Sequence, residues 1–154
     1  MKQTAILVAA LAVLVVGGLG VFSLSRVQND SGNPGPGVWI ANTWVRTTVV
    51  DTPETRERGL SGSRGLDENE GMLFVFPQDG FYGFWMKDML FSIDIVWISA
   101  DGEVVDMAQN VTPDTFPQSF GPERPARYVL ELPAGWARTR GVQVGDAAEI
   151  VFQK

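Results

Sequence analysis

At 154 residues, 45% of them hydrophobic and 19% charged, the chain has the composition of one folded domain of ordinary size. It holds neither cysteine nor histidine, which excludes disulfides, thiolate nucleophiles, imidazole-based triads and nearly every zinc, copper or haem site, so no cofactor or metal is expected. A net charge of −6 is opposite in sign to the basic footprint of nucleic-acid binding.

Residues 5–24 carry no charge, and at about 1.5 Å rise per residue a helix of that length crosses a ~30 Å hydrocarbon layer. Lys2 precedes the stretch, while Arg26 and Asp30 follow it. The positive-inside bias places the amino end in the cytoplasm and the remainder of the chain outside. Residues 1–26 therefore read as a signal anchor; the alternative is a cleaved secretory signal, for which Ser23 and Ser25 are the small residues at hand. Residues 27–37 are rich in Gly, Pro and Asn and read as a flexible tether. Asn29 and Asn110 each open a glycosylation sequon, relevant only in a host with that machinery.

From residue 38 to 154 short apolar or β-branched runs alternate with Gly, Pro and Asp-Gly, the pattern of a mainly β (α+β) domain. Strands are expected at about 38–50, 72–76, 81–86, 92–99, 103–108, 126–132 and 147–152. Asp101-Gly102 supplies a tight hairpin turn. Thr52-Pro53-Glu54 places a capping hydroxyl, a first-turn proline and an acid in the order that opens a helix, which Gly59 ends after Arg58. A second short helix is expected at 134–140, stopped by Gly141.

The strings DTPETRERGLSGSRGL, GMLFVFP, FWMKDMLFSIDIVWISADGEVV and PARYVLELPAGWARTRGVQVGD follow one another over about residues 44–153. In that order they resemble the domain-of-unknown-function 192 family, also called uncharacterised protein family 0127. The resemblance implies a small, largely antiparallel, barrel-like β domain with short helices, often behind an N-terminal signal or anchor, and it implies no reaction. Met89-Leu90-Phe91-Ser92 departs from the more polar, proline-containing turn usual in the family.

Two acids interrupt apolar strands: Asp94 in Ile93-Asp94-Ile95-Val96-Trp97-Ile98 and Glu131 in Tyr128-Val129-Leu130-Glu131-Leu132. Alternation puts Ile93, Ile95 and Trp97 on one face and Asp94, Val96 and Ile98 on the other. As candidate catalytic residues the two acids would form an acid–base pair with separated pKa values, as in glycosidases, which predicts carboxyls facing one cleft. The structural alternative is an ion pair or a carboxylate held by backbone N–H groups, with Lys87, Arg127, Arg56 and Arg58 as candidate counter-charges.

Phe81-Tyr82-Gly83-Phe84-Trp85-Met86 carries rings on both faces, and an open Trp85 beside Lys87 suits contact with a sugar or peptide; the alternative is that these rings are core. Arg56, Arg58 and Arg64 around Gly59, Gly62 and Gly65 offer a place for an anion, without the lysine or preceding strand of a nucleotide loop. Asp67-Glu68-Asn69-Glu70-Gly71 fails the calcium-loop pattern, because glycine falls fifth and Gln78 stands twelfth. The candidate ligand-binding residues are thus Trp85, Lys87, Asp94, Glu131 and Arg58. The functional expectation is a membrane-tethered extracytoplasmic binding or accessory module for envelope glycan or envelope protein. A carboxylate-dependent hydrolase or lyase on envelope saccharide, and a structural partner of another membrane protein, are the competing readings.

Overall fold

The computed structural model describes residues 35–152. The expected span at 5–24 and most of the tether lie outside the described residues. Among those described, no helix is long and apolar enough to cross a membrane.

The chain enters through a hairpin, β1 (Gly37–Ile40) and β2 (Thr43–Val50), joined by Ala41 and Asn42 at φ 47° and 55°. This corrects the single strand expected over 38–50. A two-residue turn with both residues left-handed is ordinarily announced by Asn-Gly, and Ala-Asn gives no such signal. After β2 comes α1 (Pro53–Arg58), as expected: the Thr52 hydroxyl accepts from Thr55 N at 3.2 Å, the Thr55 hydroxyl accepts from Thr52 N at 3.1 Å, and Gly59 ends the helix at φ 46°.

The chain continues with β3 (Glu70–Gly80), β4 (Phe84–Trp85), β5 (Ile93–Ile98), β6 (Val104–Val111), a 3₁₀ turn at Pro113–Thr115, β7 (Ser119–Phe120), β8 (Ala126–Pro133), α2 (Trp136–Arg140) and β9 (Ala148–Val151). Seven strands form one sheet in the order β6-β5-β8-β3-β2-β1-β9, and β4 pairs with β7 in a separate ribbon. Among the described strands only β2 and β3 pair in parallel. A parallel pair needs a crossover, and α1 with the following loop supplies it. The sheet is curled: at its two ends Glu103 bridges Ala147, while Val104 N donates to Asp146 O and Ala148 N to Gly102 O.

The strand expected at 81–86 shrinks to Phe84–Trp85. The Tyr82 carbonyl there accepts from Trp97 Nε1 at 2.9 Å, so a side chain takes the acceptor that a strand ladder would use. α2 starts two residues later than expected, because Gly135 occupies its N-cap at φ 80°.

Strand alternation splits the apolar residues between the two faces of the sheet. Every strand of the sheet sends side chains to an inner cluster that includes Val38, Val45, Leu73, Val96, Leu130 and Ala148 and is closed by Trp136 and Ala137 of α2. The outer face carries Met72, Phe74, Ile95, Trp97 and Val129, covered by Leu60 from the crossover and Met86 and Met89 from the segment after β4. Strand β5 is consequently buried along its whole length.

Candidate functional site

Glu131 lies on β8, the third of the seven strands, paired with Met72 of β3 on one side and Ile95 of β5 on the other. It therefore points to the outer face with Ile95 and Val129. The residue is 5% exposed, and its Oε2 has no hydrogen-bond partner among the described residues. Burial pushes its carboxyl up to about 8. A carboxyl without a counter-charge avoids the cost of a buried ion by keeping its proton.

Asp94 pairs with Leu132, so it points to the inner face, opposite Glu131. Its Oδ1 accepts from Asn110 N at 2.8 Å and Gly135 N at 3.0 Å, and its Oδ2 from Ala137 N at 2.9 Å. The carboxylate caps the start of α2, whose own N-cap is a glycine without a side chain to do so. The expectation that Asp94 and Glu131 share one cleft is thereby corrected, and Asp94 leaves the set of candidate ligand contacts. Adjacent strands place the two acids one register position apart, and period-2 alternation sends them to different faces.

Above Glu131 opens a pocket of about 320 Å³, at the lower end of the size range of small-molecule sites. The crossover contributes Arg56, Glu57, Arg58, Gly59, Leu60 and Ser61; β3 contributes Phe74 and Phe76; the segment from Tyr82 to Met89 contributes Phe84, Trp85 and Lys87. Four of the five expected binding residues, Arg58, Trp85, Lys87 and Glu131, thus line one cavity.

Packed rings form the walls. Phe76 and Tyr82 stack at 3.5 Å, Phe74 and Phe84 meet edge to face at 4.7 Å, and the Tyr82 hydroxyl donates to Gln78 O at 2.7 Å. Arg56 lies over the Phe76 ring and donates to the carbonyls of Val75 and Asp51, which ties α1 to the edge of the cavity. Arg58 and Lys87 form no ion pair among the described residues. Trp85 is 54% exposed, with Lys87 Nζ 6.0 Å from its ring and Phe116 5.8 Å away. Tyr82 belongs to the aromatic run at 81–86 from which Trp85 is chosen, whereas Phe74 and Phe76 lie outside it and carry no such signal beyond their closeness to it in the chain.

The remaining candidates are spent elsewhere. Arg127 pairs with Asp79 at 2.8 Å, and Arg64 is exposed and lies outside the cavity. In the acidic turn, Glu68 pairs with Arg140 at 2.8 Å and Glu70 with Arg46. Among the described residues no group of three or more acids gathers as a metal site.

Fold and cavity together define a class: a curled, mainly antiparallel β domain with two short helices and one aromatic pocket on the outer face of its sheet. The family model DUF192, described as "Uncharacterized ACR", matches residues 38–150, and the chain belongs to that family. It is similar to UPF0127 protein PF1050 of Pyrococcus furiosus, with 31% identity over 83 residues, covering 51% of this chain and 66% of that one. A UPF0127 protein of Thermococcus gammatolerans is 33% identical over 100 residues, covering 64% and 61%. The aligned stretch thus spans less than two thirds of the length of either curated relative. Among solved structures, a Sinorhizobium meliloti protein described as a candidate transcription regulator superposes with TM-score 0.69 at 29% identity, over 75% of this chain and 91% of that one. A protein of unknown function from Novosphingobium aromaticivorans gives TM-score 0.69 at 27% identity, over 74% and 83%.

Proposed function

We propose that the domain is a binding module whose outer-face pocket takes a small saccharide of the cell envelope, and that residues 5–24 tether it to the outer side of a membrane. One observation carries the binding reading: a buried, unpartnered carboxyl, Glu131, stands in a ring-lined cavity whose mouth holds Arg58, Trp85 and Lys87. A buried polar group without a partner costs stability, and a ligand that hydrogen-bonds to it recovers that cost on binding. Trp85, half in water, offers an apolar ring face for the C–H side of a sugar beside charged groups for its hydroxyls. The uncharged stretch at 5–24 and the Gly/Pro-rich tether after it support the address.

Binding is favoured over saccharide hydrolysis by Asp94 and Glu131, because the sheet separates the two carboxyls and Asp94 is occupied by three backbone donors. Calorimetric titration of the full chain in detergent with envelope mono- and disaccharides tests the reading. Saturable binding is expected, weakened about tenfold or more by W85A, in line with the loss of the ring face on which the sugar rests. Absence of saturable binding to any of these sugars, or binding that W85A leaves unchanged, rejects it.

A further inference from the structure

The cavity is lined by more cations than acids in a chain of net charge −6, although Arg58 and Lys87 also line an adjoining hollow with Glu54, Glu57 and Asp88. Three cations, Arg56, Arg58 and Lys87, line it against two carboxylic acids, Glu57 and the buried Glu131. Arg56 is committed to backbone carbonyls and the Phe76 ring, whereas Arg58 and Lys87 have no ion-pair partner among the described residues. At the base of the same space stands Glu131, whose Oε2 has no partner.

A buried carboxyl among aromatic rings is also the arrangement that receives an organic cation. Here two cations without an ion-pair partner among the described residues share the cavity, and an acid that keeps its proton offers a cation no charge. The same acid, protonated, is a hydrogen-bond donor, the role a neutral buried carboxyl plays in sites that stabilise an oxyanion.

Resting on the reading of the pocket as a saccharide site, we propose that it selects an acidic sugar: Arg58 and Lys87 take the ligand's anionic group, and Glu131 donates its proton in a hydrogen bond to the bound molecule. Ligand binding is then linked to protonation. The titratable and charged groups that line the cavity with Glu131 are Arg56, Glu57 and Arg58 from the crossover and Tyr82 and Lys87 from the segment after β3. The neighbouring strands β3 and β5 face Glu131 with Met72, Phe74 and Ile95, which do not titrate. Loss of the Glu131 proton converts the donor into a buried negative charge facing an anionic ligand, so affinity falls as pH rises.

The test titrates the full chain in detergent with glucuronate, its uncharged methyl ester and choline from pH 6 to pH 9. Glucuronate stays ionised throughout that range. It is expected to bind at least about tenfold more tightly than the ester at pH 7, as a charge-assisted contact does over a neutral one. With Glu131 near 8, its affinity is expected to fall about tenfold between pH 7 and pH 9. E131Q, which keeps a donor but cannot ionise, is expected to flatten that profile, and R58A combined with K87A to remove the preference for acid over ester. Equal binding of acid and ester, tighter binding of choline, or an unchanged pH profile in E131Q overturns the acidic-sugar proposal while leaving a saccharide site standing. No binding of either sugar at any pH overturns both.

Discussion

Glu131 and Asp94 are one register position apart on neighbouring strands, yet the fold gives them opposite fates. Asp94 is fully buried and keeps company with three backbone N–H groups, so its carboxyl oxygens are satisfied by the protein and used to start α2. Glu131 is buried without such donors, and desolvation pushes it up to about 8. In the unfolded chain a glutamate titrates near 4.3, so between that value and about 8 the folded state holds a proton that the unfolded state has lost. Folding takes up that proton: the Glu131 contribution is most favourable below the unfolded value and is lost as pH rises through the window. The slope amounts to about 1.4 kcal/mol per pH unit. Urea unfolding of wild type and E131Q at pH 5 and pH 8 is expected to show the wild type losing on the order of 3 kcal/mol relative to the variant over that interval. Parallel pH dependence in the two proteins would show that Glu131 is solvated or paired in solution.

At the scale of elements, the positions of the turns decide where the site residues fall. Ala41 at φ 47° carries a Cβ in a backbone region that glycine occupies without penalty. A41G is expected to raise stability by about 0.5–1 kcal/mol, measured by the urea midpoint at unchanged m-value. A loss of stability would mean that the hairpin does not hold this turn. The parallel pairing of β2 with β3 has the larger consequence for the candidate site. It forces the chain to cross the outer face between them, and that crossover carries Arg56 and Arg58 to the cavity. Close packing keeps the two central strands at the right spacing: a Cβ at Gly71 would lie 2.8 Å from the Glu131 carbonyl oxygen, so a side chain there would push β3 away from β8.

At the scale of the whole molecule, the tether proposed at residues 5–24 predicts that the full chain sediments with membranes, resists carbonate and salt extraction, and exposes its C-terminal domain to protease added from outside. Recovery of the uncleaved chain from the aqueous fraction would remove the proposed address. Much of the architecture was legible beforehand because it depends on local chemistry. The capping hydroxyl of Thr52 ahead of Pro53 and Glu54, the Asp101-Gly102 turn and the alternation of Ile93, Ile95 and Trp97 against Asp94, Val96 and Ile98 each follow from neighbours in the chain. The family too was readable from ordered motifs, and the match over residues 38–150 agrees. The two acids could be recognised as anomalies, since a carboxyl in an apolar strand is conspicuous on its own. Which of them faces a cavity could not, because that depends on strand order and register, set by side chains far apart in sequence. The sequence by itself determined the β character, the helix at Thr52 and a shortlist of five, Asp94 together with the four residues Arg58, Trp85, Lys87 and Glu131. Only the tertiary structure gathered those four around one cavity and sent Asp94 to the other side of the sheet, because a sheet has two faces and only pairing decides what covers each.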